Sequence, residues 1–257
     1  MMKIKKIIKA ILGLNVIAFY RLATYGPKQF FLACQNAFIA AYYVNSNGLQ
    51  MIPEVDIRDI LKNKEPEILL TTFNKESGAL PLEQYIALIS ILVAEHPTDV
   101  LEIGTFTGKT TKTMADNLPF GTIHTVDLPP DFQKSNDTKS EIPKDDFHLI
   151  ERRVVGKAFK GTPSEKRIKQ YFADTAQWDF KTSGRPTFFF IDGSHTYGYC
   201  KNDSEKCLEW CKGGEVLLWH DCDNRHPGVV KFILEWRKQG RNIVRIKGTP
   251  LGYWKVR

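Results

Sequence analysis

Residues suited to proton transfer or cation binding follow two short apolar runs of this sequence. Asp192 and His195 come after the run TFFFI, and His220 and Asp221 come directly after EVLLW. If the two runs are neighbouring strands, about 4.8 Å apart, the carboxylates of Asp192 and Asp221 can share Mg²⁺ or a similar hard cation. For His220 three roles stay open: a third ligand, an alternative base, or a buried partner of Asp192.

A glycine-bearing turn is the second indication of a site. Residues 99–108, DVLEIGTFTG, change from apolar, β-branched residues to a turn, and a helix-compatible segment follows. A strand that passes through such a turn into a helix presents backbone N–H groups and the helix dipole to a ligand. Phe106 stands where a dinucleotide fingerprint needs its central glycine, which disfavours a nicotinamide cofactor. The sequence also lacks the phosphate-loop pattern G-x-x-x-x-G-K-[ST], which disfavours a nucleotide hydrolase.

Two acidic residues indicate what this turn binds. Glu102 lies two residues before Gly104, where a carboxylate can meet an ammonium group. Asp127 ends the next apolar run and can accept two ribose hydroxyls. The pair predicts a ligand that carries both an amino group and a ribose.

The elements that must position these residues alternate between strand and helix. Strands are predicted at residues 100–103, 122–126, 167–172, 187–191 and 215–219, each ending at a glycine loop or an acidic residue. Helices are predicted at residues 82–95, 109–118, 199–212 and 229–239. This alternation predicts a doubly wound, mostly parallel α/β sheet whose ligands lie at the carboxyl ends of the strands. Residues 242–246 and 253–256 read as a hairpin, so the last strand is expected to be antiparallel.

The helix predicted at residues 82–95 has the clearest periodicity. Apolar residues recur at spacings of three and four, which predicts that one helix face packs on the sheet: Leu82, Tyr85, Ile86, Ile89, Leu92 and Val93.

Together these motifs resemble the class I S-adenosylmethionine-dependent methyltransferases. The E-x-G-x-x-x-G loop with Asp127 after the second strand carries the class resemblance. FFFIDGSHTYGYCKND (188–203), GTPSEKRIKQYFADTAQWDF (161–180) and GGEVLLWHD (213–221) resemble the branch of macrolide-sugar O-methyltransferases and cephalosporin-hydroxylase-like proteins. The resemblance covers residues 80–257 and implies a Rossmann-like sheet of seven strands.

The resemblance also implies roles for individual residues. It assigns the methionine part of S-adenosylmethionine to four residues of the first loop: Glu102, Gly104, Thr105 and Gly108. It assigns the ribose to Asp127 and the adenine edge to Asp174 and Thr175.

The catalytic residues follow from a related branch, the catechol-type methyltransferases. There an acid at the position of Asp192 binds a divalent metal, and a basic residue at the position of His195 removes the substrate proton. A histidine, with an ordinary pKa near 6.5, suits that role near neutral pH. The related enzymes have an acid followed by Asp or Asn where this chain has His220 and Asp221, so the metal set Asp192, His220 and Asp221 departs from their pattern.

Composition limits the classes of partner. The chain has 257 residues, 42% of them apolar, and a net charge of +7. Six basic residues precede the first acidic residue, Glu54, so the rest of the chain is nearly neutral, which argues against a nucleic-acid-binding face. Five cysteines without a C-x-x-C pair suit a reducing, cytoplasmic location, although Cys200, Cys207, Cys211 and Cys222 leave a structural zinc site open.

The first 75 residues are predicted to be a separate helical arm and linker, with the methyltransferase domain at residues 76–257. Helices are expected at residues 10–20 and 29–44, and a short one near 55–61. They are expected to pack on the domain or on a second copy of the chain. Peripheral contact with an anionic membrane is the alternative, because four lysines lie beside the first apolar segment.

The sequence thus predicts an S-adenosylmethionine-dependent O-methyltransferase that acts on a hydroxyl of a small molecule or glycan. N-methylation and a non-catalytic cofactor-binding subunit are the alternatives. Acceptor contacts are expected from residues 128–160, the loop after His195, the turn at 223–228 and the arm.

Overall fold

The computed structural model describes residues 48–71, 79–130 and 153–257, with eight further residues between 27 and 42. Those eight residues are helical, and seven of them lie within the helix predicted at 29–44. The helix predicted at residues 10–20 and most of the polar segment, residues 131–152, lie outside the described residues. In the part of the chain that is described, no helix has the length and apolar content needed to cross a bilayer.

The described elements follow the predicted alternation closely. The helices are α1 (Ile57–Leu61), α2 (Leu82–Glu95), α3 (Lys109–Asn117), α4 (Tyr197–Leu208) and α5 (Pro227–Lys238). The strands are β1 (Glu54–Val55), β2 (Asp99–Ile103), β3 (Thr122–Asp127), β4 (Ile168–Phe172), β5 (Phe188–Ile191), β6 (Val216–Trp219), β7 (Val244–Ile246) and β8 (Gly252–Lys255). Short 3₁₀-helices lie at Gly48–Met51, Pro163–Arg167 and Phe180–Ser183.

The strands form one mixed sheet in the order β1-β7-β8-β6-β5-β2-β3-β4. Strand β8 is antiparallel to β6 and β7, whereas the other neighbours are parallel. The predicted fold class and the antiparallel last strand are therefore confirmed.

The sheet has eight strands where the resemblance implied seven. The additional strand is β1, which pairs with β7. Two backbone hydrogen bonds flank the pair, from Arg245 to Pro53 O (2.8 Å) and from Lys247 to Val55 O (3.0 Å). A two-residue strand is too short to show the alternating pattern by which strands are recognised in sequence.

Helices cover both faces of the sheet, and β5 lies at its centre. Phe188 and Phe190 face the core that contains α2 and α3, whereas Phe189 and Ile191 face the core that contains α4 and α5. Phe188, Phe189 and Phe190 are fully buried. A parallel strand covered on both faces is expected to be continuously apolar, and the run TFFFI has this composition.

The predicted face of α2 is only partly correct. Tyr85, Ile89 and Leu92 are buried as expected, but Leu82 and Ile86 are 39% and 42% exposed. The buried face is centred instead on residues such as Leu88, Ile91 and Ala87. Leu82 and Ile86, four residues apart, lie together on the exposed side of the helix.

The register of the central strands brings the predicted site residues together. Ile103 pairs with Ile191, and Ile191 pairs with Trp219. The ladder continues one step further, because the Asp192 N–H donates to Ile103 O (2.8 Å) and the His220 N–H donates to Ile191 O (3.0 Å). The residues that follow β2, β5 and β6 therefore lie side by side at the carboxyl edge of the sheet.

Candidate active site

A cavity of about 550 Å³ opens at this carboxyl edge. Its wall includes residues from the loops after β2, β3, β4, β5 and β6: Gly104, Asp127, Asp174, Asp192, His195 and His220. Pro81 and Gln84, at the start of α2, close one side. A volume between 300 and 1,000 Å³ is typical of pockets for small molecules and cofactors.

Gly104 joins the first loop to the strand beside it. Its φ is +97°, and a Cβ at this position would lie 2.1 Å from the carbonyl oxygen of Asp192. Its N–H donates to Val126 O at 2.9 Å. Only glycine combines this backbone conformation with so close an approach, so Gly104 fixes the distance between the loop and Asp192.

Phe106 adopts a backbone conformation that bulky residues rarely adopt. Its φ is +50°, which costs on the order of 1–2 kcal/mol for a residue with a Cβ. The Phe106 N–H donates to Asp127 Oδ2 at 2.7 Å, and its carbonyl accepts from the Gly156 N–H at 3.0 Å. These two hydrogen bonds hold the turn in place on the cavity wall.

Gly108 lies behind the loop, away from the cavity wall. Its φ is +80°, and a Cβ there would lie 2.6 Å from the Phe159 ring. The segment 156–159 therefore packs directly against the turn, and the Ala158 N–H donates to Thr107 O at 2.9 Å.

Glu102 is fully buried beneath the loop and does not line the cavity. Its Oε2 accepts from Thr111 Oγ1 (2.5 Å) and Thr125 Oγ1 (2.6 Å), while its Oε1 has no hydrogen-bond partner among the described residues. Burial raises the pKa of Glu102 to about 8, although the two threonine hydroxyls oppose this effect. Thr105 also lies off the cavity wall, where its hydroxyl meets that of Thr125 at 2.7 Å.

Asp127 is on the cavity wall, and its carboxylate is already well supplied with donors. Oδ1 accepts from the Leu128 N–H (2.7 Å) and from Arg153 Nη2 (2.5 Å), in addition to the Phe106 N–H on Oδ2. Burial raises the pKa of Asp127, and Arg153 opposes this effect. Sequence reasoning missed Arg153, because no local pattern links it to a residue 26 positions earlier.

Asp174 and Thr175 follow β4 and line the same cavity. Asp174 Oδ1 accepts from Tyr199 Oη at 3.0 Å and from the Ala176 N–H at 2.9 Å. The carbonyl of Thr175 accepts from Lys206 Nζ at 2.5 Å. Asp203, also on the wall, is 1% exposed, and burial raises its pKa to about 6.

Three histidines converge on the carboxylate of Asp221. His195 Nδ1 lies 2.7 Å from Asp221 Oδ2, and His220 Nδ1 lies 3.1 Å from the same oxygen. His226 Nδ1 lies 3.2 Å from Asp221 Oδ1. His220 Nδ1 is also 2.8 Å from Asp192 Oδ1. Thus Asp192, His195, His220 and Asp221, all singled out in the sequence, form one cluster.

Opposite charges stabilise each other in this cluster. Burial raises the pKa of Asp221, but the neighbouring His195 and His220 outweigh burial and hold the pKa well below its ordinary value. Burial lowers the pKa of His220, but Asp192 and Asp221 together raise it to about 10. Asp221 also has a φ of +57°. An aspartate in this left-handed region is uncommon and indicates that surrounding contacts fix its direction.

Two members of the site were not predicted from the sequence. His226 Nδ1 lies between Asp221 and Asp223, 3.0 Å from Asp223 Oδ1. It is placed there by Gly228, whose Cβ would lie 2.6 Å from His195 O, so the two loops touch. Gln84 Oε1 lies 2.8 Å from His220 Nε2. The motif HPG at the start of α5 was a sequence signal for His226. The contact of Gln84 with His220 depends on packing alone.

Two groups within this cluster have the composition and spacing of a cation site. One is Asp192, His220 and Asp221, and the other is His195, Asp221 and His226; the ligand atoms of each lie within 4.8 Å of one another. No cysteine belongs to such a group among the described residues, so the open suggestion of a cysteine zinc site gains no support.

Comparison with known proteins gives a family match and several structures of similar fold. Residues 101–222 match a protein family described as a methyltransferase domain. A putative O-methyltransferase from Klebsiella pneumoniae is 16% identical, covering 71% of this chain and 84% of that chain with a TM-score of 0.50. The methyltransferase PaMTH1 of Podospora anserina, whose structure contains S-adenosylhomocysteine, is 13% identical. The match covers 84% of this chain and 95% of that chain, with a TM-score of 0.51. No curated protein sequence matches the chain significantly.

Residues 101–222 therefore match a methyltransferase domain, and the resemblance that the sequence motifs predicted is confirmed. The structures just named share the fold, at identities too low to transfer their substrates. The cavity at the carboxyl edge is the candidate active site.

The buried carboxyl of Glu102 makes stability depend on pH. In the unfolded chain Glu102 ionises near its ordinary pKa of 4.5, whereas in the folded protein it keeps its proton up to about pH 8. The folded state therefore binds more protons between these values, and its stability falls as pH rises through this window. Relative to Glu102→Gln, the wild type is expected to lose on the order of 3 kcal/mol between pH 5 and pH 8.

Denaturant unfolding of both proteins at several pH values measures this difference. Exposed Glu209→Gln is the matched control, and its stability should follow that of the wild type. A Glu102→Gln variant whose stability runs parallel to the wild type across the window would show that Glu102 ionises normally in the fold.

Proposed function

We propose that this chain transfers a methyl group from S-adenosylmethionine to a hydroxyl group, with His195 as the general base. The observation that carries the proposal is the position of His195. It lies on the wall of the cavity formed by the glycine loop, and Asp221 holds its Nδ1 at 2.7 Å. The glycine loop and the proposed base therefore line the same cavity.

The cavity wall supports S-adenosylmethionine as the donor. We assign the methionine end to the loop at Gly104, where a side chain would clash with Asp192 and the backbone is open to a ligand. Asp127 is the ribose acceptor, and Asp174 with Thr175 borders the adenine. The loop is supported from the side away from the cavity by Glu102, Thr105 and Gly108. Arg153 must share Asp127 with the ribose hydroxyls, since its guanidinium now contacts Oδ1.

His195 is suited to remove the proton of the acceptor. With Nδ1–H donated to Asp221 Oδ2, the lone pair of the imidazole is on Nε2, which can accept a proton. A positioned base typically contributes about 10²- to 10⁴-fold to the rate. Alignment of hydroxyl and methyl group contributes roughly 7 to 11 kcal/mol, so the walls that orient the two substrates matter more than the proton transfer.

The proposal includes a divalent cation held by Asp192, Asp221 and His220. Nδ1 of His220 fits such a group, since it is buried, faces both carboxylates and has no hydrogen-bond partner among the described residues. A bound cation would polarise the acceptor oxygen and so lower the pKa of its hydroxyl.

The acceptor we propose is a small molecule or a glycan with a free hydroxyl. The Klebsiella pneumoniae protein of similar fold is described as a putative O-methyltransferase, and the stretches at residues 161–180, 188–203 and 213–221 resemble sugar O-methyltransferases. Arg225 and His226, in the turn expected to contact the acceptor, lie on the cavity wall. An acceptor nitrogen in place of oxygen would make the reaction N-methylation.

Binding of S-adenosylhomocysteine tests the donor site. Isothermal titration calorimetry is expected to show one site per chain, and Asp127→Asn should weaken it by about 10- to 100-fold because charge-assisted hydrogen bonds to the ribose are lost. Asp59→Asn, on exposed α1, should leave the affinity unchanged. Thermal unfolding checks that both variants fold. Absence of binding to the wild type would contradict every version of the proposal.

Transfer of a labelled methyl group tests the base. A panel of glycans, sugars and small hydroxylated compounds is incubated with labelled S-adenosylmethionine to find an acceptor. On that acceptor, His195→Gln should lower kcat by about 10²- to 10⁴-fold and leave S-adenosylhomocysteine affinity unchanged. His96→Asn, at the end of α2 on the opposite edge of the sheet, is the control. Full activity of His195→Gln would refute the assignment of the base.

A further inference from the structure

The environment of His220 specifies the kind of cation that this site holds. Its Nε2 lies 2.8 Å from Gln84 Oε1, a carbonyl-type oxygen that only accepts, so Nε2 carries a proton. Its Nδ1 faces the opposite way, 2.8 Å from Asp192 Oδ1 and 3.1 Å from Asp221 Oδ2. Both contacts are between a nitrogen and an anionic oxygen.

Two carboxylates that face one imidazole nitrogen require a positive charge between them. A proton on Nδ1 would supply it if the N–H pointed at one of the oxygens. Nδ1 is buried, however, and makes no hydrogen bond of acceptable direction with any described residue. A cation bound through the nitrogen lone pair has no such requirement, because it can lie between the three ligand atoms.

The separations of the ligand atoms agree with a small cation. Two donors at right angles around an ion, each about 2.1 Å from it, lie about 3.0 Å apart. The two separations from His220 Nδ1, 2.8 and 3.1 Å, are close to this value. The ligand atoms of all three residues lie within 4.8 Å of one another, as those of a cation site do.

The donor types then select the ion. Mg²⁺ prefers oxygen ligands and keeps several waters, whereas imidazole nitrogen favours first-row transition ions. Here an imidazole is one of the three direct donors. Two other histidines hold Asp221 in place: His195 lies against Oδ2, the oxygen that His220 also faces, and His226 lies against Oδ1. Carboxylates fixed by such neighbours are held in one orientation towards the ion.

We propose that His220 makes this a site for a first-row transition ion of the Zn²⁺, Co²⁺ or Fe²⁺ class in preference to Mg²⁺. The proposal rests on the cation assigned under the proposed function and names its chemical class. Gln84 is a positioning residue in it, because its contact with Nε2 directs Nδ1 towards the two carboxylates.

Co²⁺ is the probe for this proposal, since its visible absorption reports nitrogen ligation without any turnover. The full chain, freed of metal with a chelator, is titrated with Co²⁺ and with Mg²⁺, and metal content is counted after dialysis. His220→Glu replaces the imidazole with a third carboxylate and so gives an all-oxygen site. His96→Asn, remote from the cluster, controls for adventitious binding to surface histidine.

The wild type and His96→Asn are expected to bind one Co²⁺ per chain at least about 10-fold more tightly than Mg²⁺. Zn²⁺ should displace this Co²⁺. His220→Glu should lose the Co²⁺ absorption and bind Mg²⁺ more tightly than the wild type does. Equal affinities of the wild type for Co²⁺ and Mg²⁺, no Co²⁺ binding, or unchanged Co²⁺ spectra in His220→Glu would each overturn the proposal.

Calorimetry with S-adenosylhomocysteine on the same samples distinguishes a failure of the ion proposal from a failure of the proposed function. Failed Co²⁺ binding with intact S-adenosylhomocysteine binding overturns the ion class and leaves the methyltransferase proposal standing. Loss of S-adenosylhomocysteine binding in the metal-loaded wild type would overturn the proposed function itself.

Discussion

The close approach of two backbones, at Gly104 and Asp192, is the constraint on which the rest of the site depends. A Cβ at Gly104 would lie 2.1 Å from the Asp192 carbonyl, so the loop after β2 and the loop after β5 touch without any side chain between them. The parallel pairing of Ile103 with Ile191 brings the two strands to this point in register. Because of this contact, the glycine loop after β2 and the cluster around Asp221 border the same cavity.

Asp221 has a similar role for the charged groups. One buried carboxylate receives His195, His220 and His226 on its two oxygens, and its own backbone is in the left-handed region. An isolated buried carboxylate is costly, whereas one held by several donors is stable. The histidines therefore stabilise Asp221, and Asp221 in turn fixes the directions in which they face. The proposed base and the proposed cation ligands are thus positioned by the same group.

Much of this arrangement could be predicted from the sequence, because local patterns carried it. The five parallel strands, each with an acidic residue or glycine loop at its end, specified the sheet edge and the residues on it. Asp192, His195, His220 and Asp221 lie within a few residues of two strongly apolar strands, so topology alone brings them together.

The features that sequence reasoning missed depend on packing between distant segments. Arg153 reaches Asp127, and Gln84 reaches His220 across 136 residues, and neither contact has a local pattern. Strand β1 is two residues long, below the length at which alternation is visible. For α2, spacing identified the helix but misplaced its buried face at Leu82 and Ile86, because apolar residues occur on both sides of this helix and their periodicity does not show which side packs on the sheet.

Hydrogen–deuterium exchange with and without S-adenosylhomocysteine tests the central claim most directly, namely that the loops at the carboxyl edge form one donor site. Added S-adenosylhomocysteine is expected to slow exchange at residues 104–106, 127–128, 173–175 and 192–195, and to leave the β7–β8 hairpin unchanged. Slowed exchange elsewhere with these four segments unaffected, or no change at all, would contradict the account.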